Sequence, residues 1–377
     1  MKSIYLDYAA TTPLEPLVLE AMLPYLQENY GNPSSLHQLG QKARRGVETA
    51  REQVATAIGA KPKEIIFTAS ATEAINHALR AVANQHPGKG IITSALEHAA
   101  VLETCRYLET QGHPLAYLQP TSGEIPLEAV QQALSTNTCL LALMRTNNET
   151  GLQTDIAAMS QLVHQTGAFL FCDAVQAFGF EPLDVKALGV DLLCLSAHKF
   201  YGPKGVGVLY LREGLELEPL LLGGSQERGL RAGTHNTACI VGMGKAAELA
   251  AQRQENLSKE LSKLRDLFES TVKTIEGISI NGSAAARGPK HSNIRVAGVD
   301  GEALLFNLDS LGVCASAGSA CAAGSLEPSH VLTAMGLSAT EAKASLRFSF
   351  GLGLTEADVL LAAERFAQAI ERCRVYA

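Results

Sequence analysis

From residue 64 to residue 212, short apolar runs alternate with stretches of helical spacing, and few folds accommodate that alternation. The runs at 64–68, 90–93, 115–118, 139–144, 169–172, 191–195 and 206–211 have strand length. Between them, stretches such as 72–84 carry Ile75, Ala78, Leu79 and Val82 on one helical face. Strands separated by helices pair in parallel, because only a long crossover returns the chain to the same edge in the same direction. The expectation is an α/β fold with a large, mostly parallel, seven-stranded sheet. Ligands of such sheets bind outside the carboxyl ends of the strands. Thr72, Asp173 and the run Ser196 to Lys199 all fall at such ends.

After this region the pattern changes. Residues 237–276 read as one long helix with Leu249, Leu257, Leu261, Leu264 and Phe268 in an apolar stripe, which suits a connecting helix with a solvated face. Runs at 279–281, 293–296 and 346–350 follow as strands of a smaller α+β unit. A length of 377 residues agrees with two or three domains. The net charge of -7, with no long basic block, argues against a direct nucleic-acid surface. No run approaches the length of a membrane span and the first residues lack the apolar core of a signal peptide, so the expected compartment is the cytoplasm and no membrane is involved. The 8 cysteines form no CxxC pair, which disfavours a disulfide framework or a metal site. Cys139, Cys172 and Cys194 lie in apolar runs, where cysteine is a small core residue.

Lys199 stands in Ser196-Ala197-His198-Lys199-Phe200-Tyr201-Gly202-Pro203-Lys204-Gly205, a run of small and polar residues closing on a turn. Some two dozen residues earlier a strand ends in Asp173-Ala174-Val175-Gln176. An amine able to form a Schiff base and a carboxylate able to hold a pyridinium proton are the two protein groups that pyridoxal phosphate requires. Ser70 and Glu73 have capping-box spacing at a helix start, where free N–H groups and the Thr72 hydroxyl could hold a phosphate. Each of these signals has a plainer reading. Capping boxes begin many helices that bind nothing, Asp173 could cap a strand end, and His98 could be a satisfied, partly buried imidazole.

Taken together, the motifs resemble a family. Tyr5-Leu6-Asp7-Tyr8-Ala9-Ala10-Thr11-Thr12-Pro13, Gly31-Asn32-Pro33-Ser34-Ser35, Glu97-His98, Asn147-Asn148-Glu149-Thr150-Gly151 and Arg347-Phe348-Ser349-Phe350-Gly351 occur in the order found in cysteine desulfurases of the NifS/IscS type. The resemblance spans the whole chain and implies the fold type I of pyridoxal-phosphate-dependent transferases. It divides the chain into a large cofactor-binding α/β domain at 14–250 and a small α+β domain made of 1–13 with 251–377, which carries a catalytic cysteine loop.

The resemblance also implies roles. Lys199 would hold the cofactor through a Schiff base, Asp173 would pair with the pyridine nitrogen, Gln176 with the ring hydroxyl, and His98 would stack on the ring. Ala71, Thr72, Ser196 and His198 would bind the phosphate. Thr234, in Arg231-Ala232-Gly233-Thr234, would reach the phosphate of a neighbouring subunit, which makes a homodimer part of the site. Asn148 would lie beside cofactor and substrate, and Arg347 would clamp the substrate carboxylate. Cys321, in the Gly, Ala and Ser-rich run 315–325, would be the nucleophile, its flexible surroundings cheap to open. Cys314, flanked by Leu311 and Val313, reads as a packed, inert cysteine. Ser70 departs from the glycine frequent before Ala-Thr in the family, so adjusted phosphate contacts are expected. The Arg-x-Gly-His-His-Cys signature of the second desulfurase group is absent.

The implied reaction converts L-cysteine to L-alanine and leaves an enzyme persulfide, whose sulfur passes to an acceptor protein, either an iron-sulfur scaffold or a tRNA-thiolating enzyme. Two alternatives stay open at this level. Another lyase or aminotransferase of the same fold would use Lys199 and Asp173 without Cys321, and a non-enzymatic sulfur carrier could retain the fold.

Overall fold

The computed structural model describes residues 2–121, 123–282, 286–318 and 327–375. In chain order the strands are β1 (Ile4–Tyr5), β2 (Ile65–Thr68), β3 (Gly90–Ser94), β4 (Leu115–Leu118), β5 (Thr138–Met144), β6 (Phe169–Asp173), β7 (Leu192–Ser196), β8 (Gly207–Leu211), β9 (Ile278–Ile280), β10 (His291–Val296), β11 (Val313–Cys314) and β12 (Ser345–Ser349). The large sheet has seven strands in the order β2-β8-β7-β6-β5-β3-β4. Neighbours from β4 to β7 pair in parallel, and only β8 runs against the rest. The expected strands therefore lie within a residue or so of their predicted bounds, in a sheet of the expected class.

β5 and β7 are buried along their whole length, as apolar runs must be when helices cover both faces of a sheet. Two layers of core result. One, on one face, joins Leu141, Leu143, Leu193 and Leu195 to the helix Gln38–Ala57 and to the start of the long helix. The other packs Leu140, Ala142 and Leu192 beneath the helix Ala71–Gln85.

The long helix runs from Thr237 to Val272. Its first half adds Ile240, Met243, Ala246 and Ala247 to the core under the large sheet. Its second half adds Leu257, Leu261, Leu264 and Phe268 to a separate core beneath a three-stranded sheet ordered β12-β10-β9. The apolar stripe thus belongs to two cores in succession, which is how a single element fixes one body against the other. Phe180 and Tyr201, from the part of the chain that forms the large sheet, also pack into the second core. β1 pairs in parallel with β11, Ile4 beside Val313 and Tyr5 beside Cys314, so the chain start lies against the small sheet's body. Cys314 accordingly sits on a short strand, half-buried, with Ser3 Oγ 3.8 Å from its sulfur.

A buried ion pair ties the segment before the long helix to the sheet. Glu227, 4% exposed, accepts from Arg51 at 2.7 and 2.8 Å, from the Phe67 amide at 2.9 Å and from His235 Nε2 at 2.6 Å. Its backbone lies at φ 47°, in the left-handed region that a residue with a Cβ enters only when its surroundings hold it there. Burial pushes the Glu227 carboxyl up, but the bonds from Arg51 and His235 outweigh it and hold it down at about 2. A carboxyl depressed in the folded state contributes stability above its unfolded pKa and loses it as pH falls through the folded value. Glu227→Ala takes from Arg51 its buried counter-charge, leaving the exposed Glu48 at 3.2 Å, and is expected to cost about 3–5 kcal/mol at pH 7. Urea unfolding of the two proteins at pH 7 and pH 3 measures this; a smaller difference between them at pH 3 is the expected outcome.

Candidate active site

A cavity of about 230 Å³ opens at the carboxyl ends of the parallel strands. Every site residue expected from the sequence lines it except Thr234 and Cys321. Thr234 is exposed and lies outside it. Cys321 falls outside the described residues.

The cavity is assembled from strand ends. Asp173 is the last residue of β6 and Ser196 the last of β7, and the chain then folds into a tight turn over Ala197–Lys199. Tyr201 adopts a positive φ of 68°, and Gly202 N–H returns to Ala197 O at 2.9 Å, which closes the loop after Lys199. The amino-terminal segment locks it from above: Thr12 Oγ1 donates to His198 O and accepts from the Tyr201 amide. Lys199 Nζ donates to Ala9 O and Ala10 O, both at 2.7 Å. The amine is thus aimed by two carbonyls that are about 190 residues away in sequence.

Opposite the amine, Asp173 is buried, with Oδ1 accepting from the Val175 amide at 3.0 Å. Burial pushes its carboxyl up, opposed by His98, the Val175 amide, the Cys194 thiol and Lys199. Cys194 lies beside Asp173 in the β6–β7 register, which brings that thiol to the carboxylate. His98 caps the helix Ala99–Thr110, its Nδ1 accepting from the Ala100 amide at 3.1 Å, so the ring proton is carried on Nε2. Burial lowers its pKa, as it does for His198, which burial together with Lys199 and Lys204 brings down to about 4. Both imidazoles are neutral near pH 7.

The helix Ala71–Gln85 begins at the cavity wall. Ser70 caps it by accepting from the Glu73 amide at 3.2 Å, as the spacing predicts, but Glu73 reaches back to the Ala69 amide, one residue earlier than a regular capping box. Arg231 holds Glu73 there at 2.8 Å. Gly207 on β8 allows this close approach, since a Cβ at that position would lie 2.6 Å from the Ser70 carbonyl carbon.

Arg347, on β12 and 1% exposed, reaches the same cavity. Its Nη1 donates to Asn148 O at 2.9 Å and its Nη2 to Asp7 at 2.8 Å, while Nε is buried without a hydrogen-bond partner among the described residues. Asn148 Oδ1 is likewise buried and unpartnered. Several nearby residues were not anticipated from sequence. Asp7 is a carboxylate at the substrate-clamp candidate, Glu97 is a fully buried acid whose pKa burial pushes up to about 8, and Lys290 and His291 are both 0% exposed. Lys290 and His291 stand at the start of β10, whose sequence His291-Ser292-Asn293-Ile294-Arg295-Val296 is too polar to mark either one out.

The family profile described as aminotransferase class-V matches residues 4–361. The chain belongs to the class-V aminotransferase family. Among curated class-V relatives, a protein named cysteine desulfurase from Nostoc sp. is 46% identical, the match covering 99% of this chain and 94% of the relative. One named cysteine desulfurase IscS from Dictyoglomus turgidum is also 46% identical, covering 99% and 96%. Among solved structures, a NifS-like protein superposes with a TM-score of 0.93 at 35% identity, covering 98% of this chain and 100% of that one. A structure described as SspA in complex with cysteine gives 0.83 at 37% identity, covering 92% and 99%.

Pyridoxal phosphate, the class-V cofactor, fits the donor set of this cavity. A primary amine and a carboxylate share it, a helix start offers N–H groups at its wall, and two buried polar atoms, Asn148 Oδ1 and Arg347 Nε, lack partners among the described residues.

Proposed function

We propose that the protein is a cysteine desulfurase that takes sulfur from L-cysteine, leaves L-alanine and holds the sulfur on Cys321 for an acceptor protein. The observation that carries this reading is the meeting of Lys199, Asp173 and the buried guanidinium of Arg347 in one cavity, in a chain whose full-length relatives bear that name.

Lys199 would hold the cofactor covalently, Asp173 would keep a proton on its ring nitrogen, His98 would cover the ring face and Gln176 would meet the ring hydroxyl. The Ala71 amide, Thr72, Ser196 and His198 would hold the phosphate, and neutral His198 can donate to it. When bound, pyridoxal phosphate supplies an electron sink for the bonds at the substrate Cα. Arg347 would take the substrate carboxylate, with Asn148 beside it, and Lys199 would remove the Cα proton, assisted by His98. The Cys321 thiolate then forms an S–S bond to the substrate sulfur as the Cβ–S bond breaks. The electron pair stays on carbon, where a proton completes the methyl group, and return of the Lys199 proton to Cα completes L-alanine.

Thr234, exposed and outside its own cavity, suits a role in the neighbouring site of a homodimer. Exposed Leu17, Leu23 and Leu26 on the helix Pro16–Gln27, and Leu222 at 86% exposure, give such a dimer apolar surface to cover. Residues 14–250 would form the cofactor-binding domain and 1–13 with 251–377 the small domain that carries Cys321. The acceptor would be an iron-sulfur scaffold or a tRNA-thiolating enzyme met in the cytoplasm. No helix among the described residues is long and apolar enough to cross a membrane.

The deciding experiment incubates the purified protein with L-cysteine and pyridoxal phosphate and quantifies alanine and sulfur in a reductant. Equimolar alanine and sulfide support the reading, whereas a keto acid would assign an aminotransferase. Cys321→Ala is expected to bind cofactor and L-cysteine yet release little alanine, and Cys314→Ala to retain most turnover. Alkylation and mass spectrometry after cysteine treatment should find the added sulfur on Cys321; finding it on Cys314 would reassign the nucleophile.

A further inference from the structure

Gln176 lines the cavity, and its side-chain amide is gripped from two sides. Nε2 lies 3.0 Å from Ala9 O. A backbone carbonyl only accepts, so this contact turns the amide nitrogen toward Ala9 and the amide oxygen away from it. The oxygen, Oε1, lies 3.2 Å from Nε2 of His291. Because Oε1 also only accepts, the His291 proton must sit on Nε2.

The rest of the imidazole agrees with that tautomer. His291 is 0% exposed, and its Nδ1 has no hydrogen-bond partner among the described residues. A proton there would be a buried donor with nothing to bond, and a doubly protonated ring would be a buried cation. Burial, reinforced by the positive charges of Lys290, Arg347 and Lys199, drives the ring well below the usual histidine range. Gly151, at φ +76°, leaves room for this ring: a Cβ there would stand 2.7 Å from His291 Cβ and 3.3 Å from Nδ1. His291 is thus a neutral, single-proton imidazole whose one N–H is committed to Gln176.

The Gln176 amide has two N–H bonds, of which Ala9 takes one. We infer that His291 is a positioning residue that acts through Gln176, holding its amide so that the nitrogen, and not the oxygen, is presented to the cofactor. The inference rests on the assignment of pyridoxal phosphate to this cavity. Without the His291 N–H, the buried Oε1 loses its donor, and the Ala9 contact alone is left to hold the amide in this orientation.

The test uses apoprotein titrated with pyridoxal phosphate and followed by its visible absorption, so that it reads binding and ring environment, and not turnover. His291→Gln places an amide N–H near the position of the imidazole Nε2, and His291→Asn places one near Nδ1, on the wrong side. His291→Leu and His291→Asn are expected to weaken cofactor binding roughly three- to tenfold and to displace the absorption maximum. His291→Gln should stay near wild type. In a Gln176→Leu background, His291→Leu should add no further loss. Unchanged binding and spectrum in His291→Leu, an equal loss in both backgrounds, or equal behaviour of the Gln and Asn variants would each overturn the inference. Should the leucine variant fail to fold, the contrast between Gln and Asn decides alone. A wild-type protein that takes up no pyridoxal phosphate would overturn the cofactor assignment itself, a result distinct from normal uptake by every His291 variant.

Discussion

Lys199→Ala is expected to lower turnover of L-cysteine by about a hundredfold to ten-thousandfold, the range lost when a general base is removed. The amine is held by Ala9 O and Ala10 O at the cavity floor, and no other described lysine lines that cavity. Lys204, five residues on, is exposed and not part of the lining. The loop should survive the substitution, since Thr12, the Ala197 carbonyl and Gly202 hold its backbone through bonds that do not involve the lysine side chain. Reduction of the wild-type protein by borohydride in the presence of pyridoxal phosphate, followed by peptide mapping, should place the adduct on Lys199. An adduct on Lys204, or an active alanine variant, would remove Lys199 from the mechanism.

How much of this was legible in the sequence follows from distance along the chain. The seven large-sheet strands were read from apolar runs because a strand buried on both faces needs nothing but apolar residues, and such runs are local. β1 and β11 were missed, since two residues carry no period. The helix Pro16–Gln27 was missed for a different reason: Leu17, Leu19, Leu23 and Leu26 put apolar residues on its exposed side, which erases the contrast that marks an amphipathic helix. Lys199, Asp173 and Thr72 were legible because strand ends are where an α/β sheet gathers ligands. Asp7 and His291 were not, because each acts through a partner far away in sequence: Asp7 bonds Arg347 across 340 residues and His291 bonds Gln176 across 115. A single sequence gives no spacing rule for such contacts.

Asp173→Asn separates charge from shape at the same cavity. The two side chains have the same size, and Asn Oδ1 can still accept from the Val175 amide, so the end of β6 and the turn after it should keep their geometry. Under the proposed assignment, the change lies in what would face the cofactor's ring nitrogen. A carboxylate stabilises a proton there, while an amide offers no negative charge, and an opposite charge at contact distance moves a protonation equilibrium by roughly one to three powers of ten. That stabilisation is needed most when the electrons of the broken Cα–H bond are drawn into the ring, so the loss should appear in the chemical step more than in binding. The expected result is a kcat reduced about a hundredfold or more, with KM for L-cysteine changed far less and the cofactor retained through the phosphate contacts proposed for Ala71, Thr72, Ser196 and His198. Rapid-quench measurement of the first turnover, with retained pyridoxal phosphate quantified in the same sample, tests both parts. Loss of the cofactor with the charge would make Asp173 an anchor, and wild-type rates in the variant would place the electron-sink partner elsewhere in the cavity.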